Sequence, residues 1–580
     1  SESRQVAILV DGVPITLGWD ARTDVSVLPA TAPHEITLVR GLSSILHGPN
    51  VLGGVVEMSV ARGAYFPARS SLQLAGGYDG VGGYAASVSG AAPWETSGGR
   101  WLVRAGVGFR DSPGAPLADG VREPVSTADD LRLNTDVRIR DGFFAARYAR
   151  DGGAWFTLST STFKAERGIA AELGASEPRL WRYPDISRTI VAASSGTGDR
   201  VTPLGRGDLE LSLGLDAGRT EILSYTDRSY ADVAGSEVGD DRTTTVRLLG
   251  DHTLGSRGDL RAAFTWADIH HDATVDGSAS EYQQQLLSLG GETVWRLLER
   301  PGGPLEALRL SFGGAYDQGK TPKTGGLPGL GTLQDWGVRL GLTALVNDGQ
   351  TLFHAGVSRR GRFPALRETY SESLNRFEPN PGLRPEHLVA MEGGVTTKLG
   401  RGEIQVVGFH HDLTDAIRRI TLPNKKRQRI NSDQLRSTGI EVLFTQMVGE
   451  VSLGGDLTLQ SVDLIDPGTS ASSRPENLPE RSGSARVRVP LGGGFTAGME
   501  ARYTGPQFCQ DPDSGADVEL DGGTWLNGDL ARTWNVSTRT GVLSRMETRF
   551  SLDNLSNTAL YDQCGLPRPG RLLRLQVRLF

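Results

Sequence analysis

Residues 34–60 read HEITLVRGLSSILHGPNVLGGVVEMSV, and this stretch decides the fold. It begins as a short apolar strand that ends in an Arg-Gly pair, and a small Ser-rich helical turn follows. The Gly-Pro-Asn sequence at 48–50 breaks the turn. A Gly-Gly pair at 53–54 then allows two backbones to approach closely before another apolar strand. Upstream, residues 6–15 read as a buried strand that ends in an Asp-Gly turn.

The composition of the 580-residue chain leaves two classes of β protein open. The chain contains 76 glycines and only 38% hydrophobic residues, yet alternating apolar and polar segments recur along most of it. No run approaches the roughly 18 consecutive apolar residues of a membrane helix. A transmembrane β-barrel escapes that test, because lipid-facing and lumen-facing residues alternate along each strand. A soluble all-β array has the same composition, so other features must decide.

Charge and cysteine content exclude several functions. The net charge of −7 gives no reason to expect a nucleic-acid partner. Two cysteines are too few for a disulfide scaffold or a zinc cluster. The sequence contains neither a nucleophile elbow nor a P-loop, so we predict no enzyme and no cofactor. Adjacent histidines at 270–271 and 410–411 point to opposite faces of a strand, and the acidic run 511–521 lacks the spacing of a calcium loop, so we also predict no metal site.

Alternation between apolar and polar residues marks individual strands. Along residues 495–503 the odd positions are apolar or aromatic, and the even positions are polar or glycine. Residues 308–316 and 546–553 show similar alternation. Successive side chains of a strand point to opposite faces, so we predict that the apolar faces meet lipid and the polar faces a wet lumen.

The connections provide a second test, because long polar loops alternate with short Gly-rich turns after residue 350. The long loops are 361–388, 420–436, 464–482, 505–522 and 556–570. The short turns are 398–402, 448–450, 491–494 and 535–541. Outer-membrane barrels have short periplasmic turns and longer external loops, whereas a soluble sandwich or propeller has no reason to sort its loops in this way. The pattern favours a barrel.

The 34–60 stretch resembles the C-terminal part of the plug domain of TonB-dependent outer-membrane receptors. Their plugs carry the run I-E-x-I-E-V-x-R-G-P-x-S-x-L-Y-G-x-x-A-x-G-G-V-I-N. The chain departs from this run at Leu42, His47, Val51 and Glu57, and it keeps the arginine and the glycines.

Other motifs extend the resemblance to nearly the whole chain. Residues 362–370, RFPALRETY, and 380–386, NPGLRPE, resemble the family's F-P-x-L-x-E-x-Y and N-P-x-L-x-P-E. DNL at 553–555 and GLPRPGR at 565–571 resemble the end of the family's barrel. The order of these motifs is also that of the family.

The resemblance implies an all-β membrane protein of the outer membrane of a Gram-negative-type bacterium. We expect the C-terminal part of the plug over 1–66, and over 67–580 a 22-stranded antiparallel barrel that surrounds it. Twenty-two strands leave about 23 residues for each strand and its connection. The chain begins inside the plug, so we expect the energy-coupling box of the family to lie upstream.

The function implied by the resemblance is active uptake of a scarce solute, by default a ferric siderophore. Cobalamin, oligosaccharides or other metal chelates are alternatives within the family. The implied partners are the TonB energy-transducing complex of the inner membrane, outer-membrane lipid and a metal chelate or similar small molecule. A passive porin-like channel or surface adhesin with a vestigial plug is the alternative from another class, and a soluble secreted β-protein is a third.

The resemblance also implies ion pairs between plug and barrel. In the family, plug arginines meet two lumen glutamates on neighbouring strands. By position these correspond to Arg40 and Arg62 in the plug and to Glu392 and Glu441 in the barrel.

Three groups of residues are candidate ligand contacts. Trp181, Arg182 and Tyr183 resemble a motif of some receptors and could stack on a chelate or hold a carboxylate, although we slightly favour their role as aromatic residues of the membrane interface. Arg362 and Tyr370, at the ends of the 362–370 motif, are further candidates.

The basic run KKRQR at 425–429 lies in a predicted external loop. It is either a solvated loop that can also contact lipid phosphates, or an element that attracts an anionic ligand. The sequence does not distinguish these two readings.

The two cysteines are predicted to form a disulfide. The terminal strand must end at the periplasm, so counting strands backward places Cys509 and Cys564 in consecutive external loops. Disulfides persist in that compartment. The bond would connect loop 505–522 with loop 556–570.

Overall fold

The N-terminal part of the chain forms a four-stranded sheet. In the computed structural model, the described residues are 6–15, 18–22, 24–41, 44–124, 130–374, 376–431, 434–466, 472–536 and 543–580. The sheet has the order β2-β1-β4-β3, with β1 parallel to β4 and the other pairs antiparallel. Its strands are β1 (Val6–Val10), β2 (Val13–Ile15), β3 (Glu35–Arg40) and β4 (Gly54–Ser59).

Strands make up most of the rest of the chain. The first half contains β5 (Ser71–Asp79), β6 (Tyr84–Thr96), β7 (Gly99–Ser112), β8 (Val137–Arg150), β9 (Trp155–Gly168), β10 (Trp181–Gly196), β11 (Arg200–Thr202), β12 (Gly205–Tyr225), β13 (Val233–Leu254), β14 (Gly258–Val275), β15 (Ser278–Glu299), β16 (Leu305–Thr324), β17 (Thr332–Val346) and β18 (Thr351–Arg362).

The second half begins with the short helix α1 (Leu366–Tyr370). It continues with β19 (Phe377–Glu378), β20 (Glu386–Lys398), β21 (Gly402–Thr414), β22 (Ile417–Thr421), β23 (Arg427–Asn431), β24 (Gln434–Val448), β25 (Val451–Ile465), β26 (Ser472–Ser473), β27 (Arg481–Gly492), β28 (Phe495–Thr504), β29 (Gln507–Gln510), β30 (Asp517–Leu520), β31 (Gly523–Asn535), β32 (Arg545–Asp553), β33 (Tyr561–Gln563), β34 (Leu566–Pro567) and β35 (Leu572–Leu579).

Twenty-two of the described strands form one closed antiparallel barrel. The last strand, β35, pairs with the first barrel strand, β5, with Leu579 opposite Leu74. The short strands β11 and β26 only extend hairpins of the barrel wall. The 22-stranded barrel predicted from the sequence is therefore confirmed. None of the helices in the described part of the chain is long and apolar enough to cross a membrane.

The predicted faces of the strands are confirmed. The outward side chains include Phe312, Met499 and Phe550, which are 50–55% exposed. Glu500, the neighbour of Met499, points to the opposite face, where its carboxylate accepts hydrogen bonds from Arg502 at 3.1 Å and Asn527 at 3.4 Å. Apolar residues thus surround the barrel on the outside, as a lipid environment requires, and charged residues line the inside.

The predicted sorting of loops by side is also found. Long connections follow β18, β21, β25, β28 and β32, and short turns follow β20, β24 and β27. The turn predicted at 535–541 lies largely outside the described residues. The long connections are all at one end of the barrel, which we call the outer end.

The predictions for the 34–60 stretch are confirmed where the structure describes it. A single helical turn forms at 45–47, and the Ser44 hydroxyl caps it by accepting a hydrogen bond from the Leu46 amide at 3.3 Å. Gly54 has a φ of +148°, and a Cβ there would lie 2.7 Å from the Val39 carbonyl oxygen. Only glycine permits this approach of β3 to β4. Leu42, a departure from the family run, lies outside the described residues.

Candidate functional site

The inner wall of the barrel fastens the N-terminal segment through buried polar contacts. The Asp11 carboxylate accepts hydrogen bonds from the amides of Val60, Ala61 and Arg62 at 2.8–3.1 Å, and from the Ser159 hydroxyl of β9 at 2.5 Å. Asp11 is almost fully buried. A buried carboxylate needs such donors, so this residue both closes the N-terminal sheet and ties it to the wall.

Arginines of the wall donate to carbonyl oxygens of the N-terminal segment. Arg247 of β13 donates to Gly12 at 2.8 Å and to Leu46 at 3.1 Å. Arg360 of β18 donates to the Gly48 carbonyl oxygen at 2.7 Å. These bonds satisfy backbone groups that a packed lumen would otherwise leave without partners.

The ion pairs predicted for the N-terminal segment are largely wrong. Arg62 pairs with Glu210 of β12 at 2.6 Å and lies 3.7 Å from Glu57, and its partner is neither of the predicted glutamates. Arg40 ends the edge strand β3 with an exposed side chain, and within the described residues it makes no ion pair. The orientation of the sheet inside the barrel selects the partners, and residue spacing does not encode that orientation.

The two predicted glutamates do face the lumen. Glu392 lies against Gly41, where a Cβ would come within 2.3 Å of the carboxylate. The glycine of the Arg-Gly pair therefore makes room for a wall carboxylate. Glu441 of β24 is half-buried, and it makes no ion pair within the part of the chain that the structure describes.

His47 occupies the place of the family's aromatic residue. Its pKa is lowered to about 4, first by burial and then by the nearby guanidinium groups of Arg247, Arg360 and Arg339. Its Nδ1 is buried and has no hydrogen-bond partner among the described residues. The imidazole is therefore neutral at pH 7 and adds no charge to an arginine-rich wall.

A large cavity opens between the outer loops and the N-terminal segment. Its volume is about 1470 Å³, and its lining includes Arg22 of the N-terminal segment. The outer loops contribute β22 and β23, the segment 172–179 and the segment 509–517. We call this space the outer cavity.

Two loop connections fold together above the barrel to form part of its wall. Strand β23 pairs with β22 in an antiparallel hairpin, and it pairs with β19 in parallel. The Arg427 amide donates to the Arg376 carbonyl oxygen at 3.0 Å. This three-stranded sheet, which we call the loop sheet, fixes side chains from 376–378 and 417–431 in one surface.

Helix α1 connects the loop sheet with the N-terminal segment. The Phe363 amide just before it donates to Asn50 at 2.9 Å, and Arg367 pairs with Asp20 at 2.7 Å. On its other side, Glu368 accepts from Arg362 at 2.8 Å and lies 3.9 Å from Arg429 of β23. Polar contacts thus run from the outer cavity to the N-terminal segment.

Arg362 lines the outer cavity, but carboxylates of the protein hold its guanidinium, whereas Tyr370 does not line the cavity. Arg362 is 2% exposed and pairs with both Glu368 and Glu386. Tyr370 is fully buried, stacks on Tyr282 and donates to the Thr321 hydroxyl at 3.4 Å. The 362–370 motif therefore builds the support beneath the cavity.

The structure also places Trp181, Arg182 and Tyr183 outside the lining of the outer cavity. Trp181 is buried, and Arg182 holds both carboxylate oxygens of Asp136. Tyr183 lies beneath the Arg167 guanidinium, 5.5 Å from the ring centroid. Their partners come from the wall and its loops, so the predicted ligand contact finds no support here.

Sequence reasoning missed a group of arginines on the wall of the outer cavity. Arg179, Arg376, Arg419 and Arg427 all line it, and they come from three separate loops. The basic run at 425–429 contains Arg427, whereas Arg179 and Arg376 are distant from it in the sequence. Only the loop sheet and the closure of the barrel bring them together.

Cys509 and Cys564 are joined in a disulfide with a Cα–Cα distance of 5.7 Å. Both line the outer cavity. The bond connects the β28–β31 loop with the β32–β35 loop, as the sequence predicted. In the same region, the Leu173 amide donates to the Gly565 carbonyl oxygen at 2.9 Å, so the paired loops also hold the loop that follows β9.

Comparisons with solved structures give the same fold at low sequence identity. The copper transporter OprC superposes with a TM-score of 0.78 at 15% identity, covering 99% of this chain and 90% of its own. The FrpB iron transporter from Neisseria meningitidis (F3-3 variant) gives 0.75 at 14%, covering 99% and 91%. The ferripyoverdine receptor of the outer membrane of Pseudomonas aeruginosa gives 0.72 at 12%, covering 100% and 81%.

A comparison with curated protein sequences finds no match. The family model for the TonB dependent receptor-like β-barrel matches residues 181–555, which is more than half of the chain. That match begins at β10 and ends just after β32, within the closed barrel. The chain belongs to the family of TonB-dependent receptors.

Proposed function

We propose that this outer-membrane protein takes up a scarce metal chelate, and we expect a ferric siderophore. The family consists of receptors and transporters of the Gram-negative outer membrane. The proposed route begins in the outer cavity and ends in the periplasm. The protein contributes binding and a gated path, and we propose no catalytic step.

The observation that carries this proposal is the position of the outer cavity directly against the N-terminal segment. Its volume of about 1470 Å³ exceeds the roughly 300–1,000 Å³ of pockets for drug-sized ligands. A solute of that size cannot pass while residues 6–66 remain fastened to the wall. Binding and passage are therefore separate steps, and passage requires work.

We assign residues 1–66 to the plug and residues 67–580 to the barrel. The contacts of Asp11, Arg62 and Gly48 with the wall support this division, because each joins the N-terminal segment to an inward-facing side chain. We propose that the TonB complex pulls on the plug and breaks some of these contacts. The wall hydrogen bonds can exchange for water in a wet lumen, so the plug can move without unfolding the barrel.

The names of the similar structures support a metal cargo. They describe a copper transporter, an iron transporter and a ferripyoverdine receptor. Since these likenesses are at 12–15% identity, they support the fold, and the cargo is our proposal.

Uptake by living cells tests the proposal. Cells without other siderophore receptors would express the full-length protein, and we expect uptake of a radioactive ferric siderophore from a panel that also includes cobalamin. Uptake should stop when the TonB complex is deleted or the proton gradient is dissipated. Uptake that continues in the TonB deletion would refute energised transport.

A passive channel is the second candidate, and one observation favours it. A cavity of about 820 Å³ lies along the inner wall of β25–β35, lined by charged residues that include Arg486, Glu500 and Asp529. Ion conductance of the full-length protein in planar bilayers tests this candidate. A steady conductance without TonB would favour the channel.

A further inference from the structure

We infer that the outer cavity binds a solute with negatively charged groups, and that Arg419 and Arg427, with Arg179 and Arg376, contact those groups. This inference rests on the proposed uptake function and adds the charge class of the solute. It predicts catecholate, carboxylate or phosphate oxygens as the groups recognised.

The register of the loop sheet places arginines on one face. Arg419 lies directly opposite Arg429, and Arg427 lies opposite Thr421. Residues two apart share a face, so Arg419, Arg427 and Arg429 project to the same side of the hairpin. Like charges directly opposite each other are destabilising, so this arrangement favours negative charge on that side, part of which Glu368 supplies at 3.9 Å from Arg429.

Two further guanidinium groups come from other loops. Arg376 immediately precedes β19, and Phe377 is opposite Arg427 in the parallel pair. Arg179 lies on the loop between β9 and β10 and lines the same cavity. The cluster therefore combines three loops that are fixed by the barrel and by main-chain hydrogen bonds.

The protein supplies only part of the negative charge. Arg179 pairs with Glu172, Lys425 lies 3.6 Å from Glu177, and Lys426 lies 3.7 Å from Glu378.

No such partner is found among the described residues for Arg376, Arg419 or Arg427. The cavity lining includes eleven arginine and lysine residues and seven aspartate and glutamate residues, although the whole chain has a net charge of −7. The positive charge is thus concentrated at this cavity.

Partial burial of these arginines strengthens their attraction for an anion. The pKa of Arg427 is lowered to about 10, first by burial and then by the charges of Arg419, Arg376 and Arg179. Burial also lowers the pKa of Arg376. Both groups stay protonated at pH 7, but they are poorly hydrated and repel each other. An anion that enters the cavity replaces the missing hydration of these arginines and offsets their mutual repulsion. Guanidinium groups bind planar oxyanions in a bidentate manner.

The position of the cluster excludes lipid phosphate as its main partner. Arg22 of the N-terminal segment and the wall residues Arg362 and Glu386 line the same cavity, so the arginines face the lumen. Lipid headgroups surround the outside of the barrel and do not reach this surface. The occupant is therefore a solute that enters from the outer loops.

Equilibrium binding to the purified full-length protein tests the inference. The probes are an anionic ferric tris-catecholate, anionic ferric citrate, inorganic phosphate and a neutral ferric trihydroxamate. The test variant is Arg419→Gln with Arg427→Gln. The matched control is Arg384→Gln with Arg571→Gln, two exposed outer arginines that do not line the cavity.

We expect at least one anionic probe to bind the wild-type protein and to lose affinity by 10- to 100-fold in the test variant, with no loss in the control. Phosphate binding alone would identify a small oxyanion as the ligand, and binding of a ferric anion would identify a chelate. Binding of the neutral complex with equal affinity in all three proteins, without binding of any anion, would overturn the inference and leave the proposed uptake intact. Uptake independent of TonB would refute the proposed function, whatever the charge preference.

Discussion

The Arg62 guanidinium donates to a Glu210 carboxylate oxygen at 2.6 Å and so joins the N-terminal segment to strand β12. Glu210 is nearly buried, whereas about a quarter of the Arg62 side chain is exposed. This pair replaces the pairs with Glu392 and Glu441 that the family resemblance implied.

Glu210→Gln should weaken the attachment of the N-terminal segment by about 1–3 kcal/mol, because it removes the charge from a charge-assisted hydrogen bond. Glu441→Gln is the matched control, since Glu441 faces the lumen without an ion pair in the described structure. The measurement is hydrogen exchange of amides in β1 and β4. Faster exchange in Glu441→Gln than in Glu210→Gln would instead support the ion pair with Glu441 that the family resemblance implied.

Gly54→Ala should disrupt the pairing of β3 with β4. A Cβ at Gly54 would lie 2.7 Å from the Val39 carbonyl oxygen, and the φ of +148° is unfavourable for other residues. The expected cost is about 1–3 kcal/mol. Gly152→Ala, in a turn where a Cβ meets nothing within 4 Å, is the control. Proteolysis should release fragments of residues 34–60 from Gly54→Ala alone, and equal resistance of both variants would contradict this account.

His47 should make attachment of the N-terminal segment depend on pH. Its pKa is about 4 in the folded protein and 6.5 in the unfolded chain, so the unfolded chain binds more protons between these values. Stability therefore falls as the pH decreases from about 6.5 to about 4, and it is insensitive to this group above that range. Protease sensitivity of residues 6–66 measured across this range should rise at low pH.

In His47→Phe this part of the pH dependence should disappear, because the aromatic ring cannot be protonated beside Arg247 and Arg360. The other titratable groups of the protein remain in both proteins and serve as an internal reference. An identical pH profile in wild type and variant would show that His47 does not contribute.

Reduction of the Cys509–Cys564 disulfide should loosen the outer loops and leave the barrel folded. The bond spans 55 residues, for which the chain-entropy estimate is about 4 kcal/mol. We expect faster proteolysis at 505–522 in the reduced protein, with unchanged heat resistance of the barrel on gels. Mass spectrometry of a non-reduced digest must show the linked peptides, and two alkylatable cysteines in protein from native membranes would contradict the bond.

The fold could be predicted from the sequence because its determinants are local. Alternation along residues 495–503 fixes which face meets lipid, and the loop lengths after residue 350 fix the side of each turn. Glycines such as Gly54 mark close approaches of the backbone. These features depend on neighbours in the chain, so the sequence predicts a barrel on its own, whereas the number of 22 strands came from the resemblance to the family.

The site could be predicted only in part, because its contacts join distant segments. Arg376 and Arg427 become neighbours through a parallel strand pair between two loops, which periodicity does not encode. The 362–370 motif identified Arg362 and Tyr370 as important residues, but it could not show that Arg362 lines the cavity while Tyr370 is packed in the interior. Arg62 and Glu210 depend on the rotation of one sheet within a barrel.

Helix α1 couples the outer cavity energetically to the N-terminal segment. Arg367 binds Asp20 on the plug side, and Glu368 lies beside Arg429 on the cavity side. A solute that shifts Arg429 changes the stability of the plug contacts, and reciprocity requires that displacement of the plug changes solute affinity by the same factor. If a bound solute strengthens the contact of Arg367 with Asp20, displacement of the N-terminal segment weakens solute binding by the same factor. One mechanical event then accounts for both release and passage.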